Sequence, residues 1–108
     1  MDSGDPVKAI AQFRAATEAK PNYSDAWFEL GTLLKDQGDA PGAIDALRHS
    51  VALDGTDAGA YNTLALLLKR SGDAAGAKEA FAKAAAIRQA EAEQKAKALR
   101  DGAARIAK

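Results

Sequence analysis

Cysteine is missing from all 108 residues, which excludes disulfide staples and thiolate metal sites but leaves the compartment open. Histidine occurs once, at His49, so no paired imidazoles are available to hold a metal. Neither sign of charge dominates: 15 basic and 15 acidic side chains cancel, which argues against a nucleic-acid or membrane partner. No run approaches the roughly 18 apolar residues of a membrane span, and the first residues lack the apolar core of a signal peptide. Aromatic residues make up only 6 %, and large aliphatic ones are also scarce, so each is expected in a core. What is abundant is alanine, within a hydrophobic share of 47 % that contains few β-branched residues. That balance favours close-packed helices over sheet. The length allows one domain at most.

The positive signal is a period. Gly4-Asp5, Gly38-Asp39 and Gly72-Asp73 recur every 34 residues, and Ala9, Ala43 and Ala77 keep the same step. So do Phe13, Leu47 and Phe81. A fixed period in this range marks stacked structural repeats. Glycine ends a helix readily because it tolerates the left-handed conformation, and an aspartate directly after it can cap the next helix. Pro6 and Pro41 fall in a first helical turn, where a missing N–H costs nothing. A connection so short folds two helices into an antiparallel hairpin. A second kind of break, Lys20-Pro21-Asn22 and then Asp54-Gly55-Thr56, separates one hairpin from the next.

These breaks predict helices over 5–20, 24–37, 39–53 and 58–70, and one opening at Asp73. Trp27, Leu30, Gly31 and Leu34 recur at helical spacing, and Tyr61, Leu64, Ala65 and Leu68 repeat them one period later. The period then fails. Residues 86–100 contain no Gly, Pro, Ser, Thr, Asn or Asp, and a further unit would place Lys95 in the aromatic slot and Leu99 in the small one. One long helix from 74 to about 101 is therefore expected, with Asp101-Gly102 its first stop. Glu91–Lys95, Glu93–Lys97 and Asp101–Arg105 are spaced as supporting ion pairs along it.

The pattern Trp27-x2-Leu30-Gly31-x2-Leu34, then Ala43, Leu47 and Ser50, resembles a tetratricopeptide repeat. Tyr61, Leu64, Ala65, Leu68, Ala77, Phe81 and Ala84 fit the same template, and Ala9, Phe13, Ala16 and Pro21 supply the second half of an earlier unit. Gly55 departs from it, standing where the family prefers proline. The resemblance covers about residues 4–89. It implies an all-α, right-handed superhelical solenoid of antiparallel helix hairpins. Its expected parts are the second helix of a truncated repeat over 4–22, repeats over 23–56 and 57–89, and an extension of the last helix over 90–108.

In this family the first helix of each unit lines a groove that takes extended or helical peptides. By register the groove positions are Asp25, Phe28, Glu29, Thr32 and Lys35 on one helix and Asn62, Thr63, Leu66, Lys69 and Arg70 on the next. Phe28 and Leu66 are apolar where a solvated face does not require it. Only Asn62 falls near a position of the family's carboxylate-clamping lysines and asparagines, so such a clamp is not expected. A separate candidate is self-association, through the Ile10/Phe13 face left without its first helix and through a thin tail stripe of Ala92, Ala96, Leu99 and Ile106. The tail from Arg88 to Lys108 carries six basic and three acidic residues, too dilute for nucleic acid.

His49 is expected to face outward, and Trp27 and Tyr61 are expected in the core. No Ser-His-Asp set, facing carboxylates or phosphate-cradling glycine loop is present, so no catalytic residue, cofactor or metal is expected. The reading is a non-catalytic protein–protein interaction module, a fragment of a larger protein, binding a partner peptide or helix in its groove. The alternative is a structural domain that homodimerises, in the manner of a domain swap, through the uncovered first helix and the tail. The cytoplasm is the expected compartment.

Overall fold

A computed structural model describes residues 5–106, apart from the side chains of Ala104 and Ile106. It holds five helices: α1 Pro6–Ala19, α2 Ser24–Asp36, α3 Ala40–Leu53, α4 Ala58–Arg70 and α5 Ala74–Ile106, with no strand among the described residues. The helices pack in chain order: α2 lies against α1 and α3, and α4 against α3 and α5. Such nearest-neighbour stacking makes a solenoid, because each hairpin completes its core only on the next.

Each Gly-Asp step closes one helix and opens another through the same few atoms. Gly38 sits at φ 85° and Gly72 at φ 90°, the left-handed region that L side chains avoid. That twist lets Gly38 N–H donate to the Lys35 carbonyl at 3.0 Å and Asp39 N–H to the Leu34 carbonyl at 2.9 Å. Gly72 and Asp73 repeat the pair on Lys69 and Leu68 at 3.1 and 2.9 Å. These bonds satisfy carbonyls that a helix end otherwise orphans. The aspartate side chains then turn to the following helix, Asp39 accepting from Gly42 N–H at 3.0 Å and Asp73 from Gly76 N–H at 2.8 Å. Asp5 caps α1 in the same way through Lys8 N–H at 3.2 Å. Gly4 lies outside the described residues.

The other break works without its proline. One oxygen of the Asp54 carboxylate accepts from both the backbone N–H and the hydroxyl of Thr56, a local turn that stands in for a rigid ring. Asp57 then caps α4 through Ala60 N–H at 3.1 Å. At the matching break after α1, the Trp27 indole N–H donates to the Pro21 carbonyl at 2.8 Å and ties the loop to α2.

The core gathers Leu30 and Leu34 of α2, Ala43, Ala46 and Leu47 of α3, Leu64, Leu67 and Leu68 of α4 and Ala77 of α5. Leu47 is fully buried at its centre. Gly31 is what lets α3 come close: a Cβ built there would stand 2.8 Å from Leu47 Cγ and 3.3 Å from the Ala43 carbonyl oxygen. Among the described residues two polar side chains are buried, and both are bonded. Thr17 donates to the Arg14 carbonyl at 2.9 Å, and Ser50 donates to the Ser24 carbonyl at 3.2 Å, tying the end of α3 to the start of α2.

The long helix is longer than its sequence suggests, passing through Asp101-Gly102 to Ile106. A glycine inside a helix costs only about 1 kcal/mol against alanine. At Gly38 and Gly72 the next helix folds back onto the core, whereas after Gly102 nothing in the described chain returns to hold a turn. The charge pairs expected along this helix are also not closed. Among the described residues the tail shows instead Gln89 donating to Glu93 at 3.2 Å. Long solvated side chains gain too little from pairing to be held in one geometry.

Replacing Gly31 with alanine gains helix propensity but forces Leu47 out of its position. A net loss of about 1–2 kcal/mol is expected, since overpacking costs typically 1–3 kcal/mol. It is to be read as a lowered urea midpoint; an unchanged midpoint shows that α2 and α3 have slack at their crossing. The Thr56 bonds, hydroxyl first, hold the Asp54 carboxyl below its usual range, outweighing a small opposing effect of burial. A depressed folded value means that Asp54 stabilises fully above the unfolded value of about 4 and loses that contribution as pH falls through the folded one. Thr56→Ala should therefore move the Asp54 titration upward when followed by carboxyl NMR shifts.

Candidate functional site

The groove residues fall on the outer sides of α2 and α4, whose inner sides are spent on Leu30, Leu34, Leu64, Leu67 and Leu68. Phe28 is half-buried and packs against the core, leaving only part of its ring to a ligand. Leu66 is 48 % exposed on α4. Asp25 and Glu29 are exposed on α2, and Lys69 and Arg70 are exposed in the last turn of α4, where positive charge suits the helix C-terminus. Lys35 lies 3.6 Å from its neighbour Asp36, and Asn62 is half-buried. Thr32 and Thr63 spend their hydroxyls on their own helices, donating to the Phe28 and Gly59 carbonyls at 3.0 Å each. The exposed chemistry of these positions thus reduces to Leu66, acid along α2 and base at the end of α4.

The residues considered for self-association divide into two kinds. Ile10 and Phe13 are half-buried and packed against the core, so α1 turns them toward α2. The side chain that α1 presents outward is Val7, 73 % exposed, with exposed Ala11 and Ala15 at four-residue steps beyond it. Ala92, Ala96 and Leu99 stand on the projecting part of α5, and Leu99 is 69 % exposed. The Ile106 side chain lies outside the described residues. Every residue from Arg88 to Asp101 is exposed, although Ala90, Glu91 and Gln94 still border a crevice shared with Gly55 and Thr56.

Two features escaped the sequence. His49 is exposed on one side but stacks on Trp27, ring centroids 4.1 Å apart and planes 12° from parallel, while its Nδ1 lies 2.9 Å from the Asp45 carbonyl oxygen. The ring thus covers the half-buried indole across the α2–α3 pair, a contact that no sequence spacing reveals. Leu67 is buried although its partner one period earlier, Leu33, is only half-buried. Arg48 reaches across units to Asp73 at 4.0 Å, on the rim of a crevice of about 240 Å³ floored by Val51, Leu64 and Leu68. Among the described residues no group of three His, Cys, Asp or Glu side chains converges as metal ligands would. None of their helices is long and apolar enough to cross a membrane.

A stack of helix hairpins with one exposed side per unit defines the chain as a helical-repeat protein. Models of the tetratricopeptide repeat match residues 1–49 and 58–91, together most of the chain. The chain belongs to the tetratricopeptide repeat family. No curated protein matches it in sequence. Among solved structures it is similar to MamA, with TM-score 0.78 and 24 % identity over 82 % of this chain and 52 % of that one. It is also similar to a chain of the CopN–Scc3 complex, with TM-score 0.73 and 23 % identity over 77 % of this chain and 49 % of that one. At such identity the likeness is one of fold. The chain spans about half the length of these structures. The repeats make it a protein–protein interaction module.

Proposed function

We propose that this module is non-catalytic and binds a partner peptide or helix across the outer sides of α2 and α4. The observation that carries this reading is Leu66, a large aliphatic side chain 48 % exposed in the middle of α4 with Arg70 one turn further on. A solvated face gains nothing from an exposed leucine there, whereas a bound apolar side chain would bury it. Glu29 on one helix and Lys69 with Arg70 on the other give the ligand a direction, since its acidic end is favoured beside α4.

The test uses peptides selected by display against the whole chain. Leu66→Ala should weaken their binding by roughly fivefold to tenfold, about 1 kcal/mol for half of a leucine's burial, and Arg70→Glu should weaken acidic peptides most. Both positions are exposed, so the fold is retained. Unchanged affinity in both variants would remove the groove from the function.

A second reading, self-association, is favoured by the exposure of Val7 and Leu99 at the two ends of the molecule. Light scattering on the whole chain and on one ending after Arg88 separates it from the first. A dimer that is lost with the tail supports self-association, and two monomers exclude it.

A further inference from the structure

The repeat twice shows what it does with the outer side of a second helix. α2 packs on α1, and α4 packs on α3. In the second case Ala43 and Leu47, which also meet Gly31 of α2, are wholly buried in a cluster that includes Leu64, Leu67 and Leu68 of α4. One period later Ala43, Ile44 and Leu47 become Ala77, Lys78 and Phe81, and Lys35 becomes Lys69. These residues, with Ala74, line an open cavity of about 340 Å³ between the end of α4 and the first turns of α5. Its floor is apolar, and Phe81 remains half-exposed in it. α5 does not fold back to cover it but runs straight on to Ile106.

We propose that this end cavity docks a helix of a partner protein, apolar on one side and acidic along its edge. The occupant's shape follows from the two earlier copies of the same surface, each of which takes a helix. Its charge follows from the change at Lys78. The two earlier copies carry Ile10 and Ile44 there, half-buried against the core. A purely apolar helix would cover the Lys78 ammonium without a partner, at a desolvation cost. A helix bearing carboxylates would pair with Lys78 and Lys69, and among the described residues neither lysine is in an ion pair. The tail of a second copy is a poor occupant. It offers Lys95 and Leu99 where the docking helices carry Trp27 or Tyr61 and Gly31 or Ala65, and its charge is positive, like that of the cavity rim.

The chain contains both probes needed. A helix-stabilised synthetic peptide of residues 24–36 carries Asp25, Glu29 and Asp36 against one lysine, while one of residues 58–70 carries Lys69 and Arg70 and no acid. Fluorescence anisotropy with the whole chain should show saturable binding of the acidic peptide and at least tenfold weaker binding of the basic one. Lys78→Glu, at an exposed position that leaves the fold intact, should weaken the acidic peptide at least tenfold, whereas Leu66→Ala should leave it unchanged. Amide shifts should move around Ala74, Ala77 and Phe81. The proposal is overturned by equal affinity for the two peptides, by indifference to Lys78→Glu, or by no binding of either at millimolar concentration. Loss of binding in Leu66→Ala, with shifts on α2 and α4, overturns it in favour of the groove. Display-selected groove peptides that remain insensitive to Lys78→Glu keep the two surfaces distinct.

Discussion

Everything in this molecule depends on a glycine whose backbone turns left-handed where a helix must stop. At Gly38 and Gly72 that single torsion places two successive N–H groups under the last carbonyls of one helix and leaves the next aspartate free to cap the following one. The hairpin is thus set by local bonds within a few residues. The core then needs only small residues where helices cross, Gly31 beneath Leu47 above all, for α2 and α3 to close on a fully buried leucine. An added methyl at that crossing has nowhere to go, because interiors are packed near crystal density. Chain order, hairpin angle and crossing distance all follow from residues that contribute little bulk themselves.

Stacked repeats have two ends, and each end exposes what the middle buries. In the middle, where α3 lies between α2 and α4, Ala43 and Leu47 are inaccessible. At the start of the chain Ile10 and Phe13 reach only half-burial, and at the far end Phe81 stands beside two lysines over an open cavity. The groove side differs from both: its polar groups are partly spent within the helices, and its exposed character comes from Leu66 and flanking charge. A module of this size therefore presents two surfaces of different chemistry, an amphiphilic side and a basic-rimmed end.

Much of the architecture was readable in the residues. The period of the Gly-Asp steps located the hairpins, and the recurrence of Leu30 and Leu64, Leu47 and Phe81 identified the positions facing the core. Leu67 was not readable, because its copy Leu33 is less covered and the difference arises from where each stands in the stack. His49 read as an outward residue, and its spacing within α3 does point it outward; only the approach of α2 puts an indole beneath it. Ile10 and Phe13 read as an uncovered face, yet the structure turns them toward α2 and leaves Val7 outermost. For the tail, the absence of breakers foretold the long helix, but not that Gly102 would fail to end it.

By itself, then, the sequence determined the local events: where helices start and stop at Gly38, Gly72, Asp39, Asp57 and Asp73, and which faces are apolar. These depend on bonds and torsions within a few residues. The tertiary structure decided how far each apolar residue is covered, that Trp27 and His49 stack, and that a glycine ends a helix at 72 but not at 102. The physical reason is common to all three. A glycine permits a left-handed turn but does not compel it, and an apolar face invites burial without choosing its partner. Both choices are made by whether another helix comes back to pack against the place.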